Sequence, residues 1–254
     1  MTVLLALDTS TEYCSVALLS SDDASSASCA APALVWSRHD KTGAVSSARV
    51  LPAVRELFDE AGIALADCSA VAFGAGPGSF TGLRTATGVA QGLAFGLGVP
   101  VVPVCTLLVC AQSARMHDAA ASRVLAVMDA RMDEVYWADF AWDSTHDEWR
   151  ALRAPALAAP SALGAPLPSL PFTLAGNAAA AFGSRLAVAA SARVVDHEAV
   201  PHAVPLAHAA LRAYRAGRTV PPEQAAPAYV RDKVAQTTAE RLAARVVHEG
   251  EPAR

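Results

Sequence analysis

Residues Gly74–Arg84 read Gly-Ala-Gly-Pro-Gly-Ser-Phe-Thr-Gly-Leu-Arg, and this stretch limits the fold more than any other. It follows the apolar run Ala70–Phe73, which has strand composition, and it leads into a helical pattern from about Thr81 to Leu97. Glycine permits positive φ and close approach of backbones, so a strand, a tight loop and a helix start are specified in that order. A helix start left open can hold an anion on its free N–H groups. The glycines at 74, 76, 78 and 82 do not form a P-loop, because no Gly-Lys-Ser/Thr follows, and they do not keep the Gly-x-Gly-x-x-Gly spacing. Further along, Gly78, Gly82, Ala86, Ala90 and Ala94 recur every fourth residue, while Gly88, Gly92 and Gly96 make a second row. Small residues at this period allow another element to come close. Each glycine costs roughly 1 kcal/mol of helix propensity relative to alanine, so intimate packing must offset it. The packing surface is either the chain's own sheet or a partner helix, and two rows leave room for both.

The surrounding pattern is that of an α/β chain. Val3–Leu7 and Cys14–Leu19 are apolar runs joined by Thr9–Tyr13, which reads as a hairpin whose first strand ends in Asp8. Residues 21–33 are rich in Ser and Ala and read as a loop, and Leu34–Trp36 as a third strand. Helical spacing from Ser46 to Ala61 ends at Gly62, with Pro52 inside it predicting a kink or a late start. A strand at Val99–Val104, a helix at Thr106–Met116 and strands at Val124–Met128 and Val135–Trp142 follow. Pro155–Pro171 holds five prolines and reads as connection. Short strands are expected at Phe172–Ala175 and Arg193–Val195, then a helix at Leu206–Ala216 with Arg212, Arg215 and Arg218 along one side. Each half opens on an apolar strand ending in aspartate, Asp8 or Asp129, which suggests a duplicated fold with a boundary near residue 103.

Composition removes several function classes. The chain has 254 residues, 53% hydrophobic and 17% charged, which excludes disorder and coiled coil. A net charge of −4 gives no electrostatic footprint for unaided nucleic-acid binding. Five cysteines, at 14, 29, 68, 105 and 110, are odd in number and contain no Cys-x-x-Cys, so buried reduced thiols in a cytoplasmic protein are expected. The opening MTVLLALDTS has no basic n-region and does not read as a signal peptide. No charge separates Arg84 from Arg115, yet Gly96, Gly98, Pro100 and Pro103 divide that stretch into helix, strand and helix, so no membrane span is expected. The seven histidines show no His-Glu-x-x-His or other ligand spacing, and no Gly-x-Ser-x-Gly elbow occurs. Asp8-Thr9-Ser10-Thr11 could serve magnesium and phosphate, or be simple turn chemistry. Asp129 lacks the following glycine that a phosphate-gripping turn would want.

These residues resemble a known family. Asp8–Thr11 with Cys14–Ala17, Gly76–Arg84, Ala90–Ala94, the run Asp129–Ala138 and the run Pro227–Ala235 look like the signatures of the TsaB family, also called YeaZ. The resemblance implies a two-lobed fold of the actin, sugar-kinase and Hsp70 type (ASKHA), built from duplicated RNase H-like halves. The expected lobes are 1–103 with about 206–231, and 104–205, followed by a flexible tail at 232–254. It implies a non-catalytic subunit of the bacterial machinery for threonylcarbamoyladenosine at tRNA position 37. The implied partners are a TsaD-type catalytic subunit and a TsaE-type ATPase, with a homodimer competing when TsaD is absent and tRNA touched only indirectly. Pairing is expected through Ser46, Arg49, Val50, Gly78, Phe80, Gly82, Arg84, Thr85, Ala86, Val89 and Ala90. A vestigial nucleotide cleft would be lined by Asp8, Thr9, Ser10, Asp129 and Gly176, with no cofactor or metal required and weak nucleotide binding at most. Ser46 stands where relatives often carry histidine. The rivals are an ATP-dependent kinase of the same fold and a metallopeptidase of the M22 type.

Overall fold

The computed structural model describes residues 1–22, 33–163 and 171–231. Strands β1 (Thr2–Asp8) and β2 (Tyr13–Ser21) pair antiparallel from Thr2 opposite Ser21 to Asp8 opposite Ser15, and β3 (Leu34–Lys41) continues the meander. Helix α1 (Ser46–Ala61), β4 (Ala70–Gly76), α2 (Phe80–Leu97) and β5 (Val101–Cys105) follow. The sheet order is β3-β2-β1-β4-β5, with β4 parallel to both β1 and β5. Both faces of β1 and β4 are covered, which is why they read as unbroken apolar runs. Period-two alternation sends Leu5 and Leu7 toward Val54, Leu57, Ala86 and Ala90 of α1 and α2. Leu4 and Ala6 face Leu206, Ala207 and Ala210 of α5 (Ala203–Arg215) on the other side. Helix α5 therefore packs on the first sheet although it follows the second in the chain.

Helix α3 (Thr106–His117) leads into β6 (Arg123–Asp129), β7 (Val135–Asp143), β8 (Glu148–Ala158), β9 (Thr173–Ala175), α4 (Ala178–Phe182) and β10 (Val194–Asp196). Their order is β10-β9-β6-β7-β8, with β6-β7-β8 antiparallel and β6-β9-β10 parallel. This repeats the pairing pattern of the first sheet strand for strand, and the chain has the two-lobed, duplicated α/β architecture of the ASKHA and RNase H-like folds.

Several local expectations are corrected. Part of the proline-rich connection is strand: β8 carries Pro155 because it is the edge strand and its register slips there, Trp137 pairing with Ala156 but Asp139 with Arg153. Helix α1 begins at Ser46 in spite of Pro52 and ends at Gly62 in the left-handed region, φ 64°. Arg218 lies beyond α5 and pairs with Glu148, so it does not extend a row with Arg212 and Arg215. The loop read at 21–33 falls mostly outside the described residues, as do Cys29 and the tail expected at 232–254. Cys14, Cys68, Cys105 and Cys110 are free thiols. Among the described residues no helix is long and apolar enough to cross a membrane, and no group of His, Cys, Asp or Glu could hold a metal ion.

Candidate partner interface and inter-lobe groove

The glycine segment is used for close approach within the chain. Ser79 caps α2, its hydroxyl accepting from the Gly82 amide at 3.4 Å, while its own amide donates to the Ser10 carbonyl at 2.8 Å. Thr9 Oγ1 donates to the Gly82 carbonyl at 2.6 Å. A Cβ on Gly82 would sit 1.7 Å from the Thr9 carbonyl oxygen, and one on Gly78 would sit 2.7 Å from that of Ser10. The turn after β1 is thus pressed onto the start of α2, and the anion reading of this helix start gives way to backbone packing.

The two rows of small residues part company. Gly82, Ala86, Ala90 and Ala94 are buried, the three alanines inside the first lobe's own core. Val50 is likewise wholly buried, so Val50, Gly82, Ala86 and Ala90 serve this chain's interior and present no free surface. Gly88, Gly92 and Gly96 face outward, and a Cβ on any of them would meet nothing within 4 Å. Phe95 beside them is 79% exposed, and on α1 Leu51 is 51% exposed. These two residues were not anticipated; their signal was an apolar residue off the core-facing stripe.

The remaining residues expected at the interface have mixed duties. Ser46 is buried at the start of α1, donating to the Gly43 carbonyl at 3.0 Å and paired with the Thr42 hydroxyl at 2.8 Å. Arg49 binds Asp40 at 2.7 Å and Glu56 at 2.5 Å, tying α1 to β3, and Arg38 joins through Glu56 and Glu60. Hydrogen bonds from Arg49, then Arg38, hold the Glu56 carboxyl down at about 2. Val89 is half-buried against the first lobe's core, and Thr85 donates back to the Thr81 carbonyl. Arg84 is exposed; its guanidinium lies 3.9 Å from the Phe80 ring centre and its Nε donates to the Tyr229 hydroxyl at 3.0 Å.

The groove residues lie at the carboxyl ends of β1, β6 and β9. Asp8 is 1% exposed. Its Oδ1 accepts from the Ser10 amide at 3.0 Å and hydroxyl at 2.8 Å, while Oδ2 has no partner. A Cβ on Gly74 would come 2.1 Å from Oδ2, so glycine is needed for the carboxylate to lie there. Burial pushes the Asp8 carboxyl up to about 6 against the opposing hydrogen bonds from Ser10. In the second lobe the Asp129 amide donates to Asn177 Oδ1 at 2.8 Å, and the Asp129 carboxylate accepts from the Arg131 amide at 2.8 Å. Gly176 has φ 109° and abuts the Val127 carbonyl, so it serves strand packing. Arg131, Met132 and Asp133 are all left-handed, φ 62°, 53° and 60°. That conformation costs roughly 1–2 kcal/mol per non-glycine residue, which the turn offsets in part with its own bonds, the Ala130 amide donating to the Glu134 carbonyl at 2.9 Å and the Glu134 amide to the Arg131 carbonyl at 3.1 Å. Two guanidiniums from elsewhere in the chain add to this: Arg185 pairs with the Asp133 carboxylate, and Arg231, from the far end, bonds Glu134 Oε2 at 2.5 Å and the Arg131 carbonyl at 3.4 Å.

Comparison with known proteins fits this geometry. The family model of TsaD, tRNA N6-adenosine threonylcarbamoyltransferase, matches residues 41–247. The tRNA threonylcarbamoyladenosine biosynthesis protein TsaB of Escherichia coli K12 is 35% identical over 235 residues, covering 91% of this chain and 96% of that one. The protein of the same name from Haemophilus influenzae is 46% identical over 135 residues, 53% of this chain and 52% of its own length. A crystal structure from Pseudomonas aeruginosa, described as similar to peptidase YEAZ, superposes with a TM-score of 0.79 at 40% identity, covering 91% of this chain and all of that one. With its duplicated lobes, its glycine-bound hairpin corner and this similarity along nine-tenths of its length, the chain belongs to the TsaB (YeaZ) family, within the reach of the TsaD family model.

Proposed function

We propose that this chain is a scaffolding subunit in the synthesis of threonylcarbamoyladenosine at position 37 of tRNA, the pathway named in its TsaB relatives. It pairs with a TsaD-type subunit, which performs the threonylcarbamoyl transfer, and a TsaE-type ATPase joins the pair. The chain itself supplies a docking face and no chemistry, and it leaves the tRNA to its partners. The observation that carries this reading is the outward row Gly88, Gly92 and Gly96 beside exposed Phe95, an α2 face of open glycine backbone and one apolar ring with no contact inside the chain's core. Glycine there costs helix stability and gains nothing within the chain, which close approach of a partner helix would offset. A second copy of the chain uses the same face when TsaD is absent. Light scattering after size exclusion, alone and with the TsaD-type subunit, tests this: a one-to-one complex at the expense of any homodimer supports it, and no association refutes it.

A magnesium-nucleotide kinase of the same fold is the second reading, and one observation favours it. Asp8 carries a buried oxygen without a partner at the carboxyl end of β1. Turnover of magnesium-ATP by the isolated chain would establish it.

A further inference from the structure

Residues 227–231, Pro-Ala-Tyr-Val-Arg, run from the first lobe to the second across the carboxyl ends of β4 and β6. In open α/β sheets this is the side on which ligands bind. At one end the segment is fastened to the first lobe. The Ala228 amide donates to the Ala75 carbonyl at 2.7 Å, and the Ala228 carbonyl lies so near Gly76 that a Cβ there would come within 2.6 Å. Tyr229 contacts the Phe80 ring with centres 5.5 Å apart and receives the hydrogen bond from Arg84. Gln91 of α2 donates to the Pro222 and Ala225 carbonyls just upstream, at 3.2 and 2.9 Å. At the other end Arg231, its side chain 11% exposed, serves Glu134, the Arg131 carbonyl and Met132 Sδ. Arg131 and Met132 belong to the left-handed turn that has no glycine to relax it, and Glu134 follows it directly. The space left between this segment and the lobes is lined by Pro77, Phe80, Leu83, Tyr136, Tyr229 and Arg231.

We infer that residues 227–231 are a built-in strap that occupies the inter-lobe groove in place of an external ligand and latches the two lobes together through Arg231. The strap explains how two otherwise awkward features coexist. The turn after Asp129 carries three left-handed side-chain-bearing residues, and beside its own backbone bonds and the Arg185–Asp133 pair, a guanidinium from the strap holds its Arg131 carbonyl and Glu134 together. Gly76, whose φ of 124° already favours glycine, also has the strap's backbone passing over it. The groove is thereby closed by the chain itself, whichever partner covers α2.

Hydrogen–deuterium exchange on the full chain tests this, read at the amides of Ala130, Glu134 and Ala228, which donate to Glu134, Arg131 and Ala75. In Arg231→Ala these amides exchange at least tenfold faster while those of β1 and β6 are unchanged. Arg231→Lys keeps the charge but cannot bind the Glu134 carboxylate and the Arg131 carbonyl together, and it serves as the same test should the alanine variant fail to fold. Magnesium-ATP leaves the wild-type pattern unaltered. Unchanged protection at the three amides, equal loosening of β1 and β6, or release of Ala228 with protection of 131–134 by magnesium-ATP would each overturn the strap.

Discussion

Replacing Asp8 by asparagine raises stability at neutral pH, and the gain grows with pH in a way that identifies its cause. The carboxyl is buried, its Oδ1 bonded twice to Ser10 and its Oδ2 unpartnered, and its ionisation moves from the ordinary 3.8 to about 6. A raised folded-state value means that the native chain holds a proton which the unfolded chain has released. Stability from this group is therefore greatest below 3.8 and is lost as pH rises to about 6, with no further change above. Each unit corresponds to about 1.4 kcal/mol, so the full loss is about 3 kcal/mol. Asparagine keeps the acceptor for Ser10 and cannot ionise. The difference in unfolding free energy between Asp8→Asn and wild type should therefore widen by about 2 kcal/mol from pH 4.5 to pH 7.5. Urea unfolding at several pH values measures it, and at an m-value of about 3 kcal/mol/M the midpoints should separate by a further ~0.7 M. A difference that stays constant over this range would show that Asp8 ionises freely and would refute the reasoning.

Other expectations follow from the same contacts. Gly82→Ala forces a Cβ against the Thr9 carbonyl and should cost about 1–3 kcal/mol, whereas Gly88→Ala meets open space and should stabilise by about 1 kcal/mol; paired chemical denaturation curves check both signs. His202 is held down at about 4 by burial and then by the neighbouring His39 and His117, so its depressed value makes stability fall as pH drops from 6.5 toward 4. With partial solvent screening allowed for, His202→Gln should remove about 2 kcal/mol of that slope in thermal melts across the range. Arg123 grips Asp139 through two bonds of 2.6 and 2.7 Å with Asp139 only 6% exposed. Asp139→Ala should cost about 3–5 kcal/mol by stranding the guanidinium, and the double variant Arg123→Met/Asp139→Leu should cost less, as a double-mutant cycle would read.

Periodicity carried most of the fold. The runs of β1, β4 and β6 and the spacing of α1 and α2 are set by burial on defined faces, and burial is what hydrophobic pattern encodes. Edge strand β8 is hidden from pattern because an edge tolerates proline and none of its residues is fully buried, so no apolar alternation marks it. The site was only half legible. The two glycine–alanine rows of α2 were visible, but which row faces inward depends on how the helix is rotated over the sheet. That rotation is fixed by Thr9 pressing on Gly82, a contact across 73 residues. In the sequence the missing glycine after Asp129 reads as a defect in a phosphate turn. Part of the turn's support, Arg231 from 97 residues away, is a tertiary fact that no local pattern contains.

The most direct test of the account is the mass of the complex formed with the TsaD-type subunit, measured by light scattering for wild type and for Gly92→Arg. A Cβ at Gly92 meets nothing within 4 Å, so the variant should fold normally and unfold no earlier than wild type. The account predicts a one-to-one complex for wild type and free subunits for the variant. An unaltered complex with Gly92→Arg would contradict the assignment of this face, and no complex with wild type would contradict the scaffold itself.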